Sequence, residues 1–383
     1  MPNLAFFGFP VRGHTAPSLP IVAELTRRGA RIDYYSLPAW KPLVESAGAR
    51  FVAYPGGCEA LLTTPVDSSE HLARNLTAAD TLMPLLLAEM EPRPDLVLFD
   101  ASAFWGGIIA RRLGLPCVCS ITTFAFNRQM LRMLGAPPPA AWSQPAFERL
   151  NLAYGANMQD HFDLMAPEAD LKVVYTSQAF QPAGRFLDES HLFVGPLIDG
   201  RPRDGTRAQA IGDRPLAYVS LGTLFNQDRA LLLRISQVLA ERGWQVIVSL
   251  GDAAAAKSFW PEHVQAYPFV DQIGVLARAQ LFVSHGGMNS VSEALSHAVP
   301  MIVVPQAVDQ HLVARQAANL GAAVVIEPSD VSTESLSAAL ATIESNRTTF
   351  LAAASRLQRS FTESTTVASV VDRMLALAGQ RRG

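Results

Sequence analysis

The sequence predicts an α/β protein made of two doubly wound, Rossmann-like domains, each a parallel sheet with helices on both faces. Three observations predict it. Short apolar runs alternate with longer helical patterns along nearly the whole chain, the rhythm of right-handed strand–helix–strand crossovers. That rhythm lapses once, between Gly195 and Pro215, in "GPLIDGRPRDGTRAQAIGDRP", rich in Gly, Pro, Arg and Asp. A length of 383 residues, with 49% apolar and 17% charged side chains, suffices for two buried cores.

In the first half, "LAFFGF" (4–9) reads as a strand and "PSLPIVAELTRRG" (17–29) as the helix after it. "RIDYYSL" (31–37) precedes the helical "KPLVESAG" (41–48); "DLVLF" (95–99) precedes "AFWGGIIARRLG" (103–114), and "PCVCSI" (116–121) follows. In the second half, "LAYVSL" (216–221), "QVIVSL" (245–250), "LFVS" (281–284), "PMIVVP" (300–305) and "AAVVIE" (322–327) read as buried strands. "RALLLRISQVLAERG" (229–243) and "DQHLVARQAANLG" (309–321) are helical between them, and "ESTTVASVVDRMLALAG" (363–379) is an amphipathic helix. The expected domains are residues 1–198, a linker at 199–214, residues 215–362, and a terminal helix at 363–383 packing back on the first domain. Two such domains are expected to face each other across a cleft at the carboxyl ends of their strands, where open α/β sheets bind ligands.

Composition excludes several classes. The net charge is 31 − 34 = −3 with no basic block, which speaks against nucleic-acid binding. The three cysteines include Cys117 and Cys119, whose alternation puts both thiols on one strand face, as buried small hydrophobes rather than a metal site. The N-terminus lacks a basic lead, and no apolar run of spanning length occurs, so a cytoplasmic protein without a membrane span, monomer or homodimer, is expected.

The most informative stretch is "LFVSHGGMNSVSEALSHAVP" (281–300). A strand ends in His285, Gly286 and Gly287 permit a tight turn, and a helix follows from Met288 with Val291, Ala294 and Leu295 on one face. The first turn of such a helix offers unpaired N–H groups and the positive end of its dipole, suited to a phosphate or diphosphate. His285 can add a hydrogen bond. Asn289 and Ser290 lie in that turn, and Glu293 is placed to accept from ribose hydroxyls. Taken singly, Asn289 or Ser290 could be a helix cap and Glu293 a surface charge; the combination favours a phosphate site. A dinucleotide fingerprint is absent, since neither "FFGFPVRGHT" nor "GGMNS" has three correctly spaced glycines. In "PQAVDQH" (305–311), Asp309 and Gln310 offer a carboxylate and an amide to the hydroxyls of one hexose, though Asp309 could equally cap its helix. In "VSLGT", Ser220, Gly222 and Thr223 repeat the strand-end pattern and could touch phosphate or simply form a turn.

Two further residues suit proton transfer. His14 follows the first strand, and an imidazole titrates near neutral pH. Asp100 ends "LVLFD" and reaches His14 if the two strands are neighbours; otherwise it is a plain helix cap. Phe124, Phe126, Met130 and Met133, in "TTFAFNRQMLRMLGAPPPAAW" (122–142), either line an apolar acceptor pocket or belong to the core.

The run "FVSHGGMNSVSEALSHAVPMIVVPQAVDQ" resembles the nucleotide-sugar signature of the UDP-glycosyltransferase superfamily, the family-1 inverting enzymes of the GT-B fold. "FPVRGHTAPSLPIVAELTRRGARI" and "VSLGT" resemble the starts of that family's two domains, and the short chain resembles the bacterial macrolide and antibiotic branch. The resemblance implies that His285 and the amides around Gly286 and Gly287 hold a diphosphate, with Asn289, Ser290 and Thr223 assisting. It implies that Glu293 binds ribose, and that Asp309 and Gln310 bind the hexose, suggesting glucose on UDP or a related UDP- or TDP-hexose. Gly13, Phe269, Val270 and Gln272 complete the implied nucleotide-sugar set; Phe269 and Asp271 stand in "PFVDQIGVL" where the family usually has Trp and Pro. The family's catalytic dyad maps onto His14 and Asp100, for one inverting displacement onto a hydroxyl of a flat or greasy acceptor such as a polyketide, macrolide or flavonoid, without a metal. Alternative expectations are a non-catalytic auxiliary subunit and a nucleotide-sugar epimerase of the same fold.

Overall fold

The computed structural model describes residues 1–63, 68–133, 144–160, 162–198, 205–208, 213–222, 229–251, 260–306 and 308–380. The chain forms two compact units, Met1–Leu197 with Ser364–Gly383, and Ile198–Glu363.

The first unit holds a seven-stranded, wholly parallel sheet. Its strands are β1 (Asn3–Phe7), β2 (Arg31–Ser36), β3 (Arg50–Ala53), β4 (Leu96–Asp100), β5 (Cys117–Ile121), β6 (Leu171–Val174) and β7 (His191–Phe193), in the order β3-β2-β1-β4-β5-β6-β7. The second unit has six parallel strands: β8 (Leu216–Ser220), β9 (Gln245–Ser249), β10 (Val264–Tyr267), β11 (Leu281–Ser284), β12 (Met301–Val303) and β13 (Ala323–Val325), in the order β10-β9-β8-β11-β12-β13. Both orders reverse direction once, between β1 and β4 and between β8 and β11. Loops leaving the carboxyl ends at such a reversal diverge and leave room for a ligand.

Helices cover both faces of each sheet, so the strands are apolar throughout rather than alternating. Leu4, Phe6, Ile32, Tyr34 and Leu98 pack on one face of the first sheet; Ala5, Phe7, Tyr35, Val97 and Phe99 pack on the other. Cys117 and Cys119 are buried on the second of these faces as free thiols. The terminal helix Val367–Ala378 packs on the first unit: Val370, Val371 and Met374 share a core with Ile21, Val22 and Leu25 of the helix Arg12–Arg27. Thr365 N–H donates to Phe193 O at 2.8 Å and fixes the approach.

Two local departures have physical causes. The strands β3, β6, β7 and β10 escaped the pattern because none is a buried apolar run: β3 and β10 hold no fully buried residue, β6 carries Lys172 and β7 begins at His191. The first helix starts at Arg12, not Pro17; Pro17 and Pro20 lie inside it. A proline removes one donor, and burial of Ile21, Val22 and Leu25 against the sheet holds the helix regardless. His14 thereby sits in the first turn of a helix instead of in a loop.

Candidate active site

In the first unit, the β1–β4 reversal brings Asp100 to His14. Phe7 lies opposite Phe99 in the ladder, so Asp100 ends β4 beside the turn that leaves β1. That turn is pinned from outside: Tyr54 Oη donates to Gly8 O at 3.1 Å and Trp40 Nε1 to Pro10 O at 2.9 Å. His14 Nδ1 lies 2.9 and 3.0 Å from the two carboxylate oxygens of Asp100. Asp100 is 2% exposed, whereas His14 keeps 23% of its side-chain surface. An ionised carboxylate only accepts, so Nδ1 carries the proton and Nε2 the lone pair. Asp100 also accepts from Ser102 N–H at 2.8 Å, so it is a helix cap and a histidine partner at once. Thr122, just past β5, sets its buried Oγ1 3.1 Å from the same Nδ1. Nothing in the sequence singles it out beyond its place at a central strand end.

In the second unit, the β8–β11 reversal sets Ser220 and Gly222 beside His285; Ser220 and Ser284 are register partners. A Cβ on Gly222 or Gly287 would lie 2.9 and 2.6 Å from the imidazole, so both positions must stay bare. Burial pushes the His285 imidazole down to about 4, against a hydrogen bond to the Ser220 backbone that favours the charged form. Nδ1 is buried with no hydrogen-bond partner among the described residues.

The helix Met288–Ser296 follows, with Gly287 as its N-cap and hence no side chain to cap its first turn. Asn289 and Ser290 are half-buried in that turn, neither of them the cap. Glu293 is no surface charge: it is 8% exposed and accepts from Gln272 Nε2. Gln272 Nε2 also reaches Ser290 Oγ at 3.4 Å, and Tyr218 Oη donates to Gln272 Oε1 at 3.2 Å. Residues from three separate segments thus form one polar group beside the uncapped turn. Tyr218 was missed because a tyrosine inside a buried strand reads as core.

Gly286 adjoins the next helix, Val308–Asn319: a Cβ there would sit 3.1 Å from Gln310 O. Gln310 is buried, its Oε1 accepting from Gln306 N–H at 2.8 Å, and Asp309 is exposed in the same first turn. Phe269 is 47% exposed, and Val270 beside it is buried. Asp271 accepts from Gly274 N–H at 3.1 Å and caps the helix Gln272–Leu276, which explains an aspartate in the family's proline place. Gly13 is half-buried in the same first helical turn as His14, and Thr223 lies outside the described residues.

The four apolar acceptor candidates separate. Phe124 is 2% exposed with its ring 5.5 Å from that of Phe180, and Met130 is fully enclosed, which places both in the core. Phe126 is half-buried and Met133 is 58% exposed, so these two retain surface to offer. Gln181 anchors the segment by bonding both N–H and C=O of Ala125, at 3.0 and 2.8 Å.

A family model described as the glycosyltransferase family 28 C-terminal domain matches residues 223–371. The uncharacterised UDP-glucosyltransferase YojK of Bacillus subtilis is 31% identical over 367 residues, covering 91% of this chain and 90% of that one. The chain belongs to the UDP-glycosyltransferases. Within that superfamily it falls in the bacterial antibiotic branch. The demethyllactenocin mycarosyltransferase of Streptomyces fradiae is 31% identical over 88% of this chain and 78% of its own. The crystal structure of the glycotransferase of kitacinnamycin superposes with a TM-score of 0.87 at 27% identity, covering 98% and 99% of the two chains. This UDP-glycosyltransferase is therefore an enzyme of the GT-B fold that uses a nucleotide-sugar donor. Among the described residues, no helix is long and apolar enough to cross a membrane.

Proposed function

We propose that this glycosyltransferase moves a hexose, glucose carried on UDP, to a hydroxyl of an apolar natural-product acceptor, inverting the anomeric centre. The observation that carries this reading is the histidine held through Nδ1 by a buried carboxylate at the β1–β4 reversal. The acceptor hydroxyl gives its proton to His14 Nε2 as its oxygen attacks the anomeric carbon. The bond from that carbon to the diphosphate breaks, and the leaving oxygen takes the electron pair. Asp100 fixes the tautomer and stabilises the imidazolium as it forms. The uncapped first turn at Met288–Ser290 meets the charge of the leaving diphosphate. Glu293 and Gln272 hold the ribose, and Asp309 and Gln310 hold the hexose. Phe126 and Met133 supply apolar surface to the acceptor. The similarity to YojK, named a UDP-glucosyltransferase, supports glucose, and that to the demethyllactenocin mycarosyltransferase supports a natural-product acceptor.

The test sets UDP-glucose, dTDP-glucose and other nucleotide sugars against aromatic and macrocyclic hydroxyl compounds, reading mass gain and nucleoside diphosphate release. His14→Ala is expected to lower turnover at least ~100-fold while UDP binding persists, the usual weight of a general base. Asp100→Asn, which can seat the wrong tautomer, is expected to follow it. Wild-type turnover by His14→Ala would remove His14 as the base.

A further inference from the structure

Residues 199–214 read as a linker with no period, yet part of that segment is built into the second unit. Gly205 and Thr206 run alongside Phe269–Asp271 as one parallel bridge. Thr206 N–H donates to Phe269 O at 2.8 Å, and Asp271 N–H donates to Thr206 O at 3.0 Å. The far end is tied as well, since Arg278 Nη2 donates to Ala208 O, which fastens the segment beside the helix Gln272–Leu276. Gly205 has φ +97°, and a Cβ on it would lie 2.7–2.9 Å from the Val270 N, the Val270 C and the Phe269 C. Those are main-chain atoms, so neither partner can yield.

The bridge has a directional consequence. In a parallel ladder, the peptide groups flanking the paired residue bond toward the neighbour, and the paired residue's own N–H and C=O point the other way. Thr206 takes the Phe269 carbonyl and the Asp271 amide. The Val270 N–H and C=O are therefore turned to the opposite side, where neither has a hydrogen-bond partner among the described residues. The Phe269 ring beside them is 47% exposed. A peptide edge with one donor and one acceptor complements the imide edge of a pyrimidine, and an adjoining ring offers a stacking face.

We propose that Gly205–Ala208 is a strap that positions the Phe269–Val270 edge for the nucleobase of the donor, with Gly205 as its critical positioning residue. This rests on the reading of the Phe269–Gln272 segment as part of the nucleotide site. Held by the strap, the edge contributes to the affinity for the nucleoside part of the donor and nothing to the affinity for its diphosphate.

The experiment is calorimetric titration of the full chain with UDP, dTDP and inorganic pyrophosphate. For Gly205→Ala, Kd for both nucleotides is expected to rise about tenfold while Kd for pyrophosphate stays within about twofold. KM for the nucleotide sugar should rise in step, with kcat little changed. Gly243→Ala is the control for backbone strain: its φ is +85° and a Cβ there meets nothing within 4 Å, so all three affinities should hold. Nucleotide affinity unchanged in Gly205→Ala, or lost in parallel with pyrophosphate affinity, overturns the strap. If Gly205→Ala does not fold, Arg278→Ala decides with the same ligands: a selective nucleotide loss of about threefold supports the strap, and wild-type affinity overturns it. Wild-type protein that binds none of the three overturns the reading of the site and the strap with it; wild-type binding beside an unaffected variant overturns the strap alone.

Discussion

Single residues here take their chemistry from what surrounds them. Asp100 in the sequence is equally a cap or a partner, and the structure makes it both through different contacts of one carboxylate. His285 shows the opposite case, a histidine whose imidazole is kept neutral by burial. Its pKa falls from 6.5 in the unfolded chain to about 4 in the folded one. Between those values the unfolded chain binds the extra proton, so stability is intact above 6.5 and declines as pH falls toward 4. At ~1.4 kcal/mol per pH unit, the loss from this group between pH 7 and pH 4.5 is about 2–3 kcal/mol. Urea unfolding of wild type and His285→Gln at both pH values checks it. The variant's drop in stability should be smaller by that amount, and equal drops would mean the ring is not buried neutral.

At the scale of elements, two helices of the second unit begin in contrasting ways. The helix Thr333–Ser345 closes its own start: Ser332 Oγ accepts from Ser335 N–H at 3.1 Å, and Ser335 Oγ accepts from Ser332 N–H at 2.8 Å. The helix Met288–Ser296 starts on a glycine and leaves its first turn without such a cap. Hydrogen exchange in the presence of pyrophosphate should therefore slow at residues 288–290 and stay unchanged at 333–335. Slowing at neither, or at both alike, would argue against an anion site at the glycine corner. The sequence displayed this element well, because strand, Gly-Gly and helix are contiguous within twenty residues. The Gln272–Glu293–Tyr218 group was less visible, since its members are distant in the chain and only the sheet order joins them.

At the scale of the molecule, the last helix belongs to the first unit although the whole second unit separates them in sequence. Val370, Val371 and Met374 are almost wholly buried there. Met374→Ala is expected to cost about 2–5 kcal/mol, the range for emptying a well-packed core site. Hydrogen exchange should show faster opening in residues 1–197 and leave 198–363 unaffected. Opening confined to the second unit would contradict the packing of this helix.

By itself, the sequence determined the two parallel α/β domains, the glycine corner before Met288 and the terminal amphipathic helix. Those features are written in local order: apolar period, turn residues and caps act over a few positions. Only the tertiary structure decided which strand ends meet. His14 and Asp100 are 86 residues apart and bond because β4 lies against β1. The same holds for burial, which gave Phe124 and Met130 to the core, and for a stretch read as linker whose Thr206 pairs with the Phe269–Asp271 backbone. Backbone hydrogen bonds carry no side-chain signature, and burial depends on neighbours from remote segments, so neither could be read along the chain.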